Sequence, residues 1–275
     1  MNDSTSDGVR AVQLGRESGV VDDQLVIEEP LQIRVNGSDI AVLLRTPGTS
    51  PKEDHALVAG FLATEGVIDG ADDLRLVEHC RSTKHGVEGN VVRVVLAMGN
   101  RQGARRLRAA TRSLVVGGSC GLCGKTTIDD VFTKTEPHQD WLTLAPDLVV
   151  DLAHRLRAYQ PRFSQSGGCH GAGLFTQTGT MLESAEDVGR HNAVDKVIGY
   201  ALLNQRLPLD DPILVVSSRA GFEIVQKALM ARCRAVIAIG AASHLAHRLA
   251  QRSRIALYSF VRGGDFNDHQ PPAMA

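Results

Sequence analysis

The chain reads as an α/β protein with a mixed, largely parallel three-layer sheet, preceded by a smaller β-rich N-terminal domain. Three patterns carry that reading. From residue 171 onward, short apolar runs alternate with segments of helical periodicity, the pattern of parallel strands joined by crossover helices. Two runs at 171–176 and 180–185, turning near Gly179, form an antiparallel hairpin at its start and make the sheet mixed. Upstream, a strand-like run at 31–35 meets Asn36-Gly37 and resumes at 40–44, and Asn-Gly between such runs is the strongest short-range hairpin signal.

The elements follow in order. Residues 1–20 are polar and rich in Ser, Gly and Asp, and read as a flexible arm. The β-rich domain spans 21–116. Within it Ser50-Pro51-Lys52-Glu53 reads as a capping box with proline at the first helical position. Leu57, Phe61 and Glu65 then share one helical side, and Gly66 is a fitting stop. Strands follow at 74–78 and 91–96, and a short one at 113–116 enters a glycine- and cysteine-rich loop. Residues 117–144 are that loop and a linker. The α/β domain spans 145–267, with helices at 146–159, 188–205, 221–231 and 243–252 and strands at 212–217, 235–239 and 255–260. Residues 268–275 form a tail.

Composition narrows the function classes. Of 275 residues, 43% are hydrophobic and 22% charged, so the chain is globular rather than disordered. Thirty basic side chains against 31 acidic ones give a formal charge of −1, which disfavours generalised nucleic-acid binding. Only 4% are aromatic, too few for base-stacking platforms. Five cysteines, an odd number in a chain of this size, read as reduced thiols of a cytoplasmic protein. The N-terminus has no apolar h-region and no apolar run is long enough to span a bilayer, so no membrane association is expected. Arg101, Arg105, Arg106, Arg108 and Arg112 read first as a solvated face, with a docking surface for an acidic partner as the alternative.

The first constellation with chemistry is Gly117-Gly118-Ser119-Cys120-Gly121-Leu122-Cys123-Gly124-Lys125. Two thiols two residues apart can share a metal, cycle as dithiol and disulfide, or hand sulfur between them. The glycines let backbone N–H groups face a thiolate, and Lys125 adds positive charge, so both lower a thiol pKa. A zinc site needs further ligands, and the candidates are His138, Cys169 and His170. The stretch from Cys123 to Cys169 exceeds ordinary finger or ribbon spacing, and no second C-x-x-C occurs. A phosphate-binding P-loop fails on counting, because Ser119 stands where its first glycine is required.

Three further constellations sit at or near strand ends. Glu186-Asp187-Val188-Gly189-Arg190-His191-Asn192-Ala193-Val194-Asp195-Lys196 packs acids, Arg, His and Asn into the entry of a helix. Such an entry suits an anion, although a capped helix with surface charges explains any one of these residues alone. Ser217-Ser218-Arg219-Ala220-Gly221-Phe222-Glu223 lies where a strand hands over to a helix. Phe260-Val261-Arg262-Gly263-Gly264-Asp265 follows the last strand, and Gly167-Gly168-Cys169-His170 is a candidate for the rim. Open α/β sheets bind ligands beyond the carboxyl ends of their strands, so these segments point to an anionic, nucleotide-like ligand, with Asp265 placed to read a base such as guanine.

Together the residues resemble a known family. The run from Glu186 to Lys196 closely resembles the hallmark segment of the FdhD/NarQ family, sulfurtransferases required for formate dehydrogenase maturation. Cys120-Gly121-Leu122-Cys123-Gly124 is similar to that family's C-x-x-C loop. Ser218-Arg219 with Phe222-Glu223, and Phe260 through Gly264, resemble its later blocks in the same order, and the resemblance covers about 26–265. It implies a carrier that accepts sulfur from a cysteine desulfurase as a cysteine persulfide. The sulfur passes to the metal of a bound molybdenum bis(molybdopterin guanine dinucleotide) cofactor before insertion into the apo formate dehydrogenase. On this resemblance Cys120 carries the persulfide, with Cys123 its partner or an alternative carrier. Phe260, Val261, Arg262, Gly263, Gly264 and Asp265 contact the guanine dinucleotide end, assisted by Ser218, Arg219 and His191, and GDP is the cofactor's mimic. The resemblance also implies a cytidine deaminase-like core, a homodimer and no tightly bound metal of the protein's own. The zinc-deaminase signature is absent, so deamination is not implied. The alternative is a cofactor-binding chaperone whose C-x-x-C loop is structural or binds zinc. Cys80, Cys169 and Cys233 match no family cysteine and read as structural.

Overall fold

The computed structural model describes residues 6–13, 19–80, 89–97, 136–206 and 211–271. The basic stretch from Arg101 to Arg112, the expected strand at 113–116, and the loop with Cys120 and Cys123 lie outside the described residues.

The N-terminal unit is a four-stranded sheet covered by one helix. Strands β3 (Glu29–Val35) and β4 (Ser38–Arg45) form the expected hairpin, and Asn36 and Gly37 take φ of 49° and 84°. Those paired left-handed residues match the twist of the flanking strands. Strands β5 (Leu74–His79) and β6 (Val91–Leu96) complete the order β4-β3-β6-β5. Helix α1 (Pro51–Thr64) starts at Ser50, whose side chain accepts from the Lys52 N–H. The capping box is displaced by one residue: Glu53 Oε1 accepts from Thr49 N–H at 3.1 Å rather than from Ser50. Gly66, at φ 73°, ends the helix, with Gly66 N–H on Ala63 O and Val67 N–H on Leu62 O. Leu57, Val58, Phe61 and Leu62 of α1 join Leu31, Ile33, Val92 and Val94 in one core.

The second unit is a six-stranded sheet in the order β12-β11-β10-β9-β7-β8, formed by β7 (His170–Phe175), β8 (Met181–Asp187), β9 (Ile213–Val216), β10 (Ala235–Ala238), β11 (Ala256–Arg262) and β12 (Asp265–Asp268). β9, β10 and β11 run parallel, and the pairs at both edges are antiparallel, so the sheet is mixed as expected. Every residue of β9 and β10 is buried, and their side chains alternate between two cores. Ile213, Val215 and Ile237 pack with Val149, Leu152 and Leu156 of α2 (Pro146–Ala158). Leu214, Val216 and Val236 pack against α4 (Arg190–Leu203), α5 (Phe222–Met230) and α6 (His244–Ser253). The result is three layers. A short helix, α3 (Pro161–Ser166), which the sequence reading missed, sits between α2 and β7 in the chain.

Two expectations change. Within the segment read as a flexible arm, β1 (Ser6–Gln13) pairs in full antiparallel register with β2 (Gly19–Val26). Its Ser, Gly and Asp content suits solvent, and the ribbon is correspondingly exposed, with Ala11 opposite Val21 and Val12 opposite Val20 in the ladder. The second change concerns 260–265, expected just after a last strand at 255–260. β11 continues to Arg262, and Gly263-Gly264, at φ 62° and 93°, turn the chain into β12. Two consecutive left-handed glycines make a hairpin turn rather than an open loop.

The two units are joined by α1 lying on α4. At Gly60 a Cβ would meet the Asp195 carbonyl oxygen at 1.8 Å, and at Gly199 one would meet the Ala56 oxygen at 1.8 Å. No helix among the described residues is long and apolar enough to cross a membrane.

Candidate functional site

The parallel strands end in a crest of backbone contacts. Gly240 N–H donates to Ser218 O at 3.1 Å, and Phe260 N–H donates to Gly240 O at 3.0 Å. A Cβ on Gly240 would stand 2.9 Å from the Arg219 nitrogen, so the glycine permits this close approach. The structure therefore brings Ser218, Arg219 and Phe260 to one edge of the sheet. Phe260 has φ 54°, unusual for an aromatic residue, where a bulge puts two residues of β11 opposite one of β12. Its ring is 40% exposed, with the Arg262 guanidinium 5.5 Å from the ring centre. Arg262 and Asp265 face each other across the ladder, next to Gly263 and Gly264. Val261 alone of this segment is buried, in the core under α2.

The helix entries sit at the same edge. Gly189 and Gly221 precede α4 and α5 without a side-chain cap, whereas Ser243 caps α6 by accepting from Ala246 N–H. His191, in the first turn of α4, has its Nε2 buried without a hydrogen-bond partner among the described residues, 3.9 Å from Glu223 of α5. Burial, with Arg190 and Lys227 adding to it, pushes the His191 imidazole down to about 4. His170 is lowered for the same reason, burial first and Arg190 second. Both are neutral at pH 7.

The His191 shift has a consequence for stability. The folded state resists a proton that the unfolded chain accepts below its ordinary value near 6.5. Stability from this source is complete above pH 6.5 and is lost as pH falls toward 4, by up to roughly 3 kcal/mol. Thermal melting of His191→Gln against the parent should show a shallower loss between pH 6.5 and 4. Parallel curves would show that His191 does not titrate this way.

The densely polar run from Glu186 to Lys196 is mostly internal. The Glu186 carboxylate accepts from the N–H groups of Arg162 and Phe163, both at 2.8 Å, and so caps α3. Asp187 Oδ1 accepts from Gly189 N–H and Asn192 Nδ2, and its Oδ2 lies 2.7 Å from Lys196 Nζ. Lys196, with no exposed area, also donates to the carbonyls of Thr46 and Glu186. Asp195 pairs with Lys227 of α5 and accepts from Thr64 of α1. Arg162 grips Glu53 with two bonds of 2.8 Å. Burial alone would raise the Glu53 carboxyl, but Arg162 and Lys196 hold it below the usual carboxylate value. The acids and Lys196 thus clamp the N-terminal unit to the helix entry, where Arg190 and His191 begin α4.

Sequence reasoning understated the other side of the sheet edge. A cavity of about 320 Å³ lies there, lined by Arg157, Gln160, Phe163, Gly167, Gly168, Cys169, His170, Ser217 and Ile239. The Gly167 to His170 segment expected at the rim lines it; Gln160, alone before a proline, gave no sequence signal. Cys169 and Cys233 are buried free thiols, raised by burial, the second to about 12, which agrees with structural rather than nucleophilic roles. Among the described residues no group of three or more His, Cys, Asp or Glu is arranged to hold a metal ion.

Fold and site define a mixed α/β protein whose strand-end crest is arginine-rich and flanked by two uncapped helix entries. The chain belongs to the FdhD/NarQ family, whose model matches residues 26–272. It is 44% identical over 247 residues to the sulfur carrier protein FdhD of Nocardia farcinica, covering 89% of this chain and 85% of that one. The protein of the same name from Streptomyces coelicolor is 44% identical over 252 residues, covering 89% and 86%. A crystal structure from Desulfotalea psychrophila, described as a formate dehydrogenase accessory protein, superposes with a TM-score of 0.72 over 98% of both chains. At 22% identity that match establishes the fold.

Proposed function

We propose that this chain is a sulfur carrier in formate dehydrogenase maturation. The observation that carries the reading is the family match across 26–272, with relatives named sulfur carrier proteins of which the chain covers more than four-fifths. A cysteine desulfurase loads sulfur onto Cys120 or Cys123 as a persulfide, and the outer sulfur passes to molybdenum bis(molybdopterin guanine dinucleotide), the substrate, on its way to the apo formate dehydrogenase. The C-x-x-C spacing supports this, since the second thiol can attack the inner sulfur of the persulfide, release the outer sulfur at the sulfide level and leave a Cys120–Cys123 disulfide that a thiol reductant reopens. The working form is a homodimer in the cytoplasm.

The chain's described residues would serve by binding. Arg219 and Arg262 are exposed, and no ion pair occupies either among the described residues, which suits two phosphates of a dinucleotide. The uncapped entries of α4 and α5 add the positive ends of two helix dipoles. Incubation with a cysteine desulfurase and cysteine should add sulfur mass to the protein, removable by reductant and absent from Cys120→Ala/Cys123→Ala. No added mass on the parent, or equal gain in the double variant, overturns the reading. Calorimetry should show GDP binding weakened at least tenfold by Arg219→Ala or Arg262→Ala, and unchanged affinity removes those residues from the site.

A further inference from the structure

The N-terminal unit carries a second cluster of titratable groups, away from the crest. His55, near the start of α1, places its Nε2 3.1 Å from Nδ1 of His79, the last residue of β5. His79 Nε2 lies 3.1 Å from Asp54 Oδ2, and Arg45 grips the same carboxylate through Nε at 3.0 Å and Nη2 at 3.1 Å. Burial alone would raise the Asp54 carboxyl, but His79 and Arg45 hold it below the usual carboxylate value. An ionised carboxylate can only accept, so His79 Nε2 carries the hydrogen. In the neutral ring the lone pair is then on Nδ1, the atom that meets His55. Burial first, and His79 second, lower the His55 imidazole, so it is neutral at pH 7 and no proton competes for its ligand nitrogen.

The pair has the spacing of two ligands on one ion. Imidazole nitrogens held by a zinc-like ion at about 2.0–2.1 Å stand about 2.8–3.4 Å apart, according to the angle between the bonds. The observed 3.1 Å falls within that range. The ring centres are 4.9 Å apart with planes tilted by 33°, closer than a straight end-to-end N–H···N contact of that length allows. The carboxylate on the far nitrogen of His79 is the usual outer support of a metal-bound imidazole, fixing the ring and raising its basicity. Asp54 and Arg45 are both buried, so that support is rigid. The His79 side chain is 19% exposed, which leaves the pair open to water.

We propose that His55 and His79 form a binding site for a divalent ion of the nickel or zinc class, with Asp54 and Arg45 as its outer support and water in the remaining positions. Imidazole nitrogen suits these ions. Binding moves the His55 hydrogen from Nε2 to Nδ1 and releases no proton. The ion ties α1 to β5, the outer strand of its sheet, beside Glu53, whose bonds to Arg162 join the two units.

Ni²⁺ alone is titrated by calorimetry into the full chain carrying Cys120→Ala/Cys123→Ala, which removes two competing thiols. That background should show a saturable site. His55→Gln and His79→Gln should each weaken it at least tenfold, and His154→Gln, at an exposed position on α2, should leave it unchanged. Asp54→Asn, with both ligands intact, should weaken it about tenfold. Ni²⁺ should also raise the unfolding midpoint of the background chain and not that of His79→Gln, since an ion bound only by the folded state stabilises it. His79→Gln, on the outer strand, serves if His55→Gln does not fold. No saturable binding in the background chain, or unchanged affinity in the histidine variants that fold, would show that the two rings form a hydrogen bond only.

Discussion

Gly60→Ala should destabilise the protein by more than about 3 kcal/mol or abolish soluble expression, and Gly199→Ala should do the same. Helix propensity alone gives the opposite sign, since alanine in a helix interior is better than glycine by about 1 kcal/mol. The structure reverses it. A Cβ at Gly60 would lie 1.8 Å from the Asp195 carbonyl oxygen, and one at Gly199 would lie 1.8 Å from that of Ala56. Both obstructions are backbone atoms, which no rotamer change can move. Overpacking a well-filled core already costs 1–3 kcal/mol where side chains can adjust. Here α1 would have to lift from α4, breaking Thr64 to Asp195 and disturbing Glu53 to Arg162. Gly70→Ala, where nothing lies within 4 Å, is the control and should leave the unfolding midpoint unchanged. Denaturant melts that placed Gly60→Ala at or above the parent would show that the helices do not meet as described.

That contact marks where the sequence stops being legible. Local devices were readable because each is decided within a few residues. Asn36-Gly37 made a hairpin, Gly66 closed α1, and the apolar runs at 213–216 and 235–238 became buried central strands. What failed was anything decided by partners far along the chain. Gly60 and Gly199 carried no reading in the sequence, because each is explained only by the helix backbone it meets far along the chain. The run from Glu186 to Lys196 carried the family resemblance, yet nothing in it indicated that Lys196 and Glu186 face Thr46, Glu53 and Arg162. Gln160 had no sequence signal, since its meaning comes from Gly171 and the cavity around it. The strand expected at 255–260 runs on to Arg262, because its pairing with a strand beyond the Gly263-Gly264 turn is what extends it.

The clamp itself matters to the site. Arg190 and His191 stand in the first turn of α4, and that turn is fixed from below. Thr46 Oγ1 accepts from Val188 N–H at 3.1 Å, and Asn192 Nδ2 donates to Leu44 O at 2.7 Å. Both Leu44 and Thr46 belong to the N-terminal unit. The helix entry beside the crest is therefore held in place by both halves of the chain.

Lys196→Met should cost about 3–5 kcal/mol, because it removes the one cation buried with Asp187. The change keeps length and apolar volume, so packing is little altered, but Asp187 has no exposed area and would keep only Gly189 N–H and Asn192 Nδ2 as donors. Removing one member of a buried ion pair is far more damaging than replacing both, since the remaining charge is neither solvated nor balanced. For a chain of this size the loss corresponds to a melting temperature lower by roughly 10 °C. A double variant separates this cause from simple loss of packing. Asp187→Asn added to Lys196→Met should recover part of the stability, whereas it should destabilise the parent. No recovery in the double variant would mean that Lys196 acts through its carbonyl contacts to Thr46 and Glu186 rather than through charge.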